Sequence, residues 1–111
     1  MRGLIIKQKW AELILANLKT MEIRGSNTHI RGTIGIIKSG TKKVWGTVDL
    51  VDCIRLDEKQ FYAESNRHKV NTKFNNIPYK NVYGWVLENP IKYSEPVEYE
   101  HRQGCIIWVN I

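Results

Sequence analysis

A chain of 111 residues with 42% apolar content suits one compact domain built on a single core, residues 1–111, and leaves little room for a second. No apolar run approaches the ~18 residues of a membrane span, and no signal-peptide core follows Met1 and Arg2, so a soluble, cytoplasmic protein without a membrane partner is expected. Seventeen Lys and Arg against eleven Asp and Glu give a formal charge of +6, and four Trp and five Tyr accompany it; basic charge beside aromatic planes favours nucleic acid among the polyanions.

In chain order, "RGLIIKQ" reads as a short first strand. Trp10, Leu13, Ile14, Asn17 and Leu18 then fall at i, i+3, i+4, i+7 and i+8, which predicts an amphipathic helix of about three turns. Asn17 is its stop signal, because Asn accepts the left-handed conformation that ends many helices. "KTMEIR" alternates like a strand. "GTIGIIKS" and "KKVWGTVDLVDCI" carry β-branched residues around the turn "SGTKK" and read as a hairpin. From Asp57, "DEKQFYAESNRHK" has an acidic start and a basic end, as a short second helix should. The polar loop "VNTKFNNIPYKN" follows. "VYGWVLENPIKY" is then a strand, "PVEYEH" a proline-bounded extended segment and "GCIIWVNI" a closing strand.

Six or so strands with two or three short helices and no βαβ alternation predict a mainly β, α+β domain in the form of a small closed or nearly closed barrel, not a doubly wound sheet. A barrel of this size has a filled interior, so binding is expected at a cleft, most naturally where the first helix runs into "LKTMEIR". Cys53 and Cys105 lie in apolar runs without a CxxC partner and are read as buried reduced thiols.

Strand alternation sends Glu22 and Arg24 to one face and Met21 and Ile23 to the other. Lys19, at the helix-to-strand turn, reaches over the same face as Glu22. One acceptor and two cations around a concavity suit a planar ligand with polar edges, such as a nucleobase beside its phosphate. The plainer alternative is an exposed ion pair that contributes about 0–1 kcal/mol. Around the trio, Trp10 either stacks a base or belongs to the core, Ser39 offers a hydroxyl or is a turn residue, and Arg31 holds a phosphate or is a solvated charge. His68 either meets the ligand or is a helix-end histidine favoured by the dipole. Tyr83 and Trp85 share one face of a strand, with Trp85 assigned to the core and Gly84 allowing another backbone to approach. His29, His68 and His101 are isolated, so no metal and no cofactor are expected. A triad of Ser39, His68 and Asp49 lacks a nucleophile elbow, and "SGTKK" has too few glycines for a phosphate loop.

"NLKTMEIR" resembles the G-x-K-x-x-E-x-R signature of the ASCH domain family, with Asn17 where the signature has Gly. "KQKWAELI", "HIRGTIGIIKS", "VYGWVLENPIKYSEPVEY" and "GCIIW" are similar to the family's first helix, Arg-Gly strand and C-terminal strands. The resemblance covers nearly the whole chain and implies a PUA-like β-barrel. It also implies a binding module for RNA or a modified nucleoside, with Trp10, Lys19, Glu22, Arg24, Arg31, Ser39, His68 and Tyr83 as binding residues and a monomer as the expected state. Some small bacterial ASCH proteins are amidohydrolases of N4-acetylcytidine, and nuclease activity has been proposed for others, so the resemblance implies hydrolysis as the alternative. In the amidohydrolases a Lys is followed three residues later by a nucleophilic Thr, and an acidic residue of a later helix assists. Lys19 matches that Lys and Glu64 lies in the corresponding helix. Glu22 stands where the Thr should be and Thr20 falls on the opposite face, so Lys19, Glu22 and Glu64 act catalytically only if Glu22 activates a water while Lys19 stabilises an oxyanion.

Overall fold

The computed structural model describes residues 1–111. Its elements are β1 (Arg2–Ile6), α1 (Gln8–Leu15), β2 (Met21–Arg24), β3 (Gly32–Lys38), β4 (Lys43–Leu56), α2 (Glu58–Ala63), α3 (Ser65–His68), β5 (Val82–Glu98) and β6 (Trp108–Asn110), with a 3-10 turn at Phe74–Asn76. No helix is long and apolar enough to cross a membrane.

Helix α1 is shorter than the three turns expected, because Asn17 enters the left-handed region at φ 60° and the amides of Leu18 and Lys19 both return to the Leu13 carbonyl. Leu18 thereby leaves the apolar stripe and is exposed. The expected second helix is two pieces. Asp57 opens α2 with a reciprocal capping box to Gln60, and Glu64 separates α2 from α3. Lys69, in the left-handed region, ends α3.

The six strands form one sheet in the order β2-β5-β4-β3-β1-β6. The β3–β4 hairpin is present, and β1 lies parallel to β3, the one parallel pairing in a chain without βαβ alternation. The proline-bounded segment is not separate: β5 runs through it for 17 residues. Pro90 and Pro96 are accommodated because β5 pairs with β4 at Glu88 and Ile91 and again at Lys92 and Val97, leaving both prolines outside the paired positions. Three register shifts curl this long ribbon. At one of them a Cβ on Gly46 would lie 2.2 Å from the Ile91 carbonyl oxygen, so the two backbones pass only because the side chain is missing.

The sheet is mainly β as expected but open, not a closed barrel. The reason is topological. Strand β2 at one edge pairs only with β5, strand β6 at the other pairs only with β1, and no ladder joins these two edges. A side chain spans the seam instead: the Arg24 Nη2 donates to the Ile5 carbonyl at 3.3 Å.

Three apolar clusters take the place of one core. Leu4, Ile14, Ile36, Leu50 and Trp85 belong to the largest, which lies between α1 and the sheet. Met21, Ile23, Leu56 and Phe61 belong to the second, under α2. Ile37, Val44 and Val109 form the third. Trp85 is 2% exposed, a core residue as expected, while Gly84 makes room for the Met21 side chain and not for a backbone. Cys53 and Cys105 are free thiols but only half-buried.

Candidate functional site

Strand β2 divides its side chains by alternation. Met21 and Ile23 enter the second apolar cluster, and Glu22 and Arg24 turn to the opposite face. There the Glu22 Oε2 accepts from Arg24 Nε at 3.0 Å and lies 3.0 Å from Nη2 of the same guanidinium, while its Oε1 faces Lys19 Nζ at 3.5 Å. Glu22 is 4% exposed and Lys19 1%. A buried ammonium needs acceptors, and Lys19 also donates to the backbone carbonyl of His68 and sits 4.5 Å from the centre of the Trp10 ring. Arg24 lies over Trp85 at 5.6 Å. The result is one carboxylate between two cations, with an aromatic ring behind each cation.

This network forms the floor of a cleft of about 250 Å³. Glu22 and Arg24 line it together with Trp10, Lys7, Ser39 and Tyr79. Lys19 does not line it; its ammonium lies behind Glu22, turned toward His68. Burial lowers the Lys19 pKa, with the Arg24 charge acting the same way and the Glu22 carboxylate opposing both.

Ser39 reaches the rim because its amide donates to the Ile6 carbonyl and its own carbonyl accepts from Gln8 Nε2 at 3.3 Å, which ties the β3–β4 turn to the start of α1. His68 is fully buried and lies outside the cleft. Its Nδ1 accepts from the Val70 amide at 2.9 Å, so the proton is on Nε2, which donates to the Phe61 carbonyl at 2.8 Å. The ring stacks on Phe61 at 4.3 Å. Burial depresses its pKa, as does the nearby Lys19 charge. Arg31 donates to the carbonyls of Thr28 and Ile30 and faces Asp52 at 4.0 Å, away from the cleft. Tyr83 pairs with Arg24 across β2–β5 and packs against the main core. Glu64 accepts from Arg67 at 3.0 Å, and neither it nor Thr20 lines the cleft.

The sequence model of the ASCH domain matches residues 4–97. The chain belongs to the ASCH domain family. Its fold is that of the crystal structure of ASCH from Zymomonas mobilis, to which it is 15% identical with a TM-score of 0.71 over 87% of this chain and 72% of that one. Two mutant forms of that protein superpose similarly. One is 15% identical with a TM-score of 0.70 over 87% of this chain and 74% of that one. The other is 14% identical with a TM-score of 0.76 over 99% and 87%. A search among curated proteins gave no match. The ASCH signature thus folds here with Asn17 at positive φ in the place of its glycine.

Several cleft residues of this ASCH domain escaped the sequence reading, Lys7, Val70, Tyr79 and Ile106 among them. Tyr79 comes from the loop "VNTKFNNIPYKN", read as merely polar, and its ring packs on Gly25, where a Cβ would lie 2.7 Å from it. The glycine directly after the signature Arg was the available signal. Elsewhere, a larger groove of about 720 Å³ lies between β6 and the far half of β5, but its charged residues Arg2, Glu98, Glu100 and Arg102 are all exposed and form no buried network. Charge fixed in a dry place, and not cavity size, marks the candidate site.

Proposed function

We propose that this ASCH domain is a binding module for RNA or a modified nucleobase, with one base seated in the cleft above Glu22 and Arg24. The observation that carries the reading is the Glu22 carboxylate, buried, held by Arg24 and Lys19, and lining a cleft walled by Trp10 and Tyr79. A fixed carboxylate accepts from the exocyclic and ring N–H donors of a base, and Arg24 donates to a carbonyl edge. The aromatic walls supply stacking. At about 250 Å³ the cleft is below the roughly 300–1,000 Å³ of sites for drug-sized ligands, a size that favours a single base. Lys7 at the rim and the formal charge of +6 favour an anionic strand, and the family is broadly RNA-binding-like.

Hydrolysis of a modified nucleoside, or cleavage of RNA, finds less support in the same residues. Thr20 and Glu64 do not line the cleft, and neither does Lys19, whose ammonium donates to the His68 carbonyl instead of reaching an oxyanion there. Catalysis by Lys19, Glu22 and Glu64 together would need a constellation that these positions do not form.

Calorimetric titration with cytidine, N4-acetylcytidine and short single-stranded RNA tests the reading, with products followed by chromatography. Saturable binding without turnover is expected, weakened about tenfold or more by Glu22→Gln, since one charge-assisted hydrogen bond is worth roughly 1.5–3 kcal/mol. Conversion of N4-acetylcytidine to cytidine that disappears in Glu22→Gln overturns it and makes Glu22 a general base.

A further inference from the structure

The cleft continues past Ser39. Ile5, Ser39 and Ile106 line it on one side and, on the other, line a second depression of about 260 Å³ that Lys42, Tyr99 and His101 border. The two hollows therefore share a saddle made by the β3–β4 turn and an isoleucine that is 80% exposed. The turn is held to β1 by the bond from the Ser39 amide to the Ile6 carbonyl, and Gly40 and Lys42 both occupy the left-handed region, at φ 85° and 55°. Lys42 is exposed on that turn.

The far wall is aromatic and polar. The Tyr99 hydroxyl and His101 Nδ1 are 2.9 Å apart, and the two rings meet edge to face at 5.8 Å and 70°, so each orients the other. Both are half-buried, and no carboxylate borders the depression. A cation on the saddle, two flat rings on the wall and an exposed apolar side chain between the hollows make up the set that a single strand needs at each step: a phosphate partner, a stacking surface and a contact for the sugar.

We propose that this second depression is the subsite for the neighbouring nucleotide of a single-stranded RNA, with Lys42 meeting the linking phosphate above Ser39 and with Tyr99 and His101 receiving the second base. The ligand of the domain is then an oligonucleotide strand and not a free nucleoside. This rests on the reading of the first cleft as a base site.

The test compares cytidine with the dinucleotide CpC on the full chain by calorimetry, at low and at physiological salt. CpC is expected to bind about tenfold or more tightly than cytidine, from one further stacked base and one phosphate contact. That advantage should shrink as salt rises, with a slope near ~0.7 for the single phosphate, and should be lost in Lys42→Ala and His101→Ala. Lys42 is exposed, and His101 is half-buried and bonded to Tyr99, so an unchanged urea midpoint of each variant is the control for folding. Cytidine binding with no gain for CpC, or a gain that survives in both variants, overturns the second subsite and leaves the first cleft standing. Absence of binding by either ligand removes the cleft reading and the subsite together.

Discussion

Two acid–base pairs in this chain have the same spacing and opposite fates. Lys19 and Glu22 are three residues apart, 3.5 Å between charged atoms, with side chains 0% and 6% exposed. Glu64 and Arg67 are also three apart and closer, at 3.0 Å, but 28% and 40% exposed. Coulomb attraction depends on the medium as much as on separation, and water around Glu64 and Arg67 screens most of it. The Lys19 side chain is shut off from bulk solvent, so a lost partner goes uncompensated. The pair on the surface adds little to the fold, while the buried pair constrains it and sets the floor of the cleft.

The largest expected effect breaks the buried member. Glu22→Ala leaves the Lys19 ammonium with only the His68 carbonyl as acceptor, and the loss of one partner of a buried pair typically costs about 3–5 kcal/mol. Urea denaturation should show a much lower midpoint; a shift as small as that of a surface variant would mean that water reaches Lys19. Next comes Gly25→Ala, which forces the Tyr79 ring aside. Because Tyr79 is exposed, stability should fall by about 1 kcal/mol while base binding drops several-fold, the misplaced aromatic wall being worth roughly 1–3 kcal/mol per stacked base.

His68 tests the same dry region through pH. Its folded-state pKa lies below the ordinary 6.5, so between the two values the unfolded chain holds more protons than the folded one. Stability from this group is therefore complete above about 6.5 and is lost as pH falls below it, because protonating Nδ1 removes the bond from the Val70 amide. Titration of the His68 ring by NMR should find its midpoint below 6.5; a midpoint at or above that value would contradict the burial argument. The smallest effect belongs to the exposed pair. Glu64→Ala should shift the unfolding free energy by less than about 1 kcal/mol and leave nucleoside affinity unchanged.

Much of the site was legible in the chain because it depends on neighbours a few residues away. Alternation in "MEIR" is enough to separate Met21 and Ile23 from Glu22 and Arg24, and a two-residue spacing brings the latter pair within hydrogen-bonding distance. Asn17 as a helix stop follows from the left-handed preference of one residue. What remained hidden depends on segments far apart. Lys19 is buried because a carbonyl 49 residues away caps its ammonium, and no periodicity announces such a meeting. Arg31, His68, Tyr83 and Glu64 have the right chemistry for a polar cleft, yet tertiary packing gives them other partners. Tyr79 enters the cleft from a loop with no strand or helix signal, through its contact with Gly25. The open sheet has the same origin: strand-forming residues were recognisable one by one, but that β2 and β6 would be its two unpaired edges was decided only by which distant strands pair. Local conformation follows from covalent geometry and side-chain shape, whereas burial and strand order follow from which distant segments exclude water together.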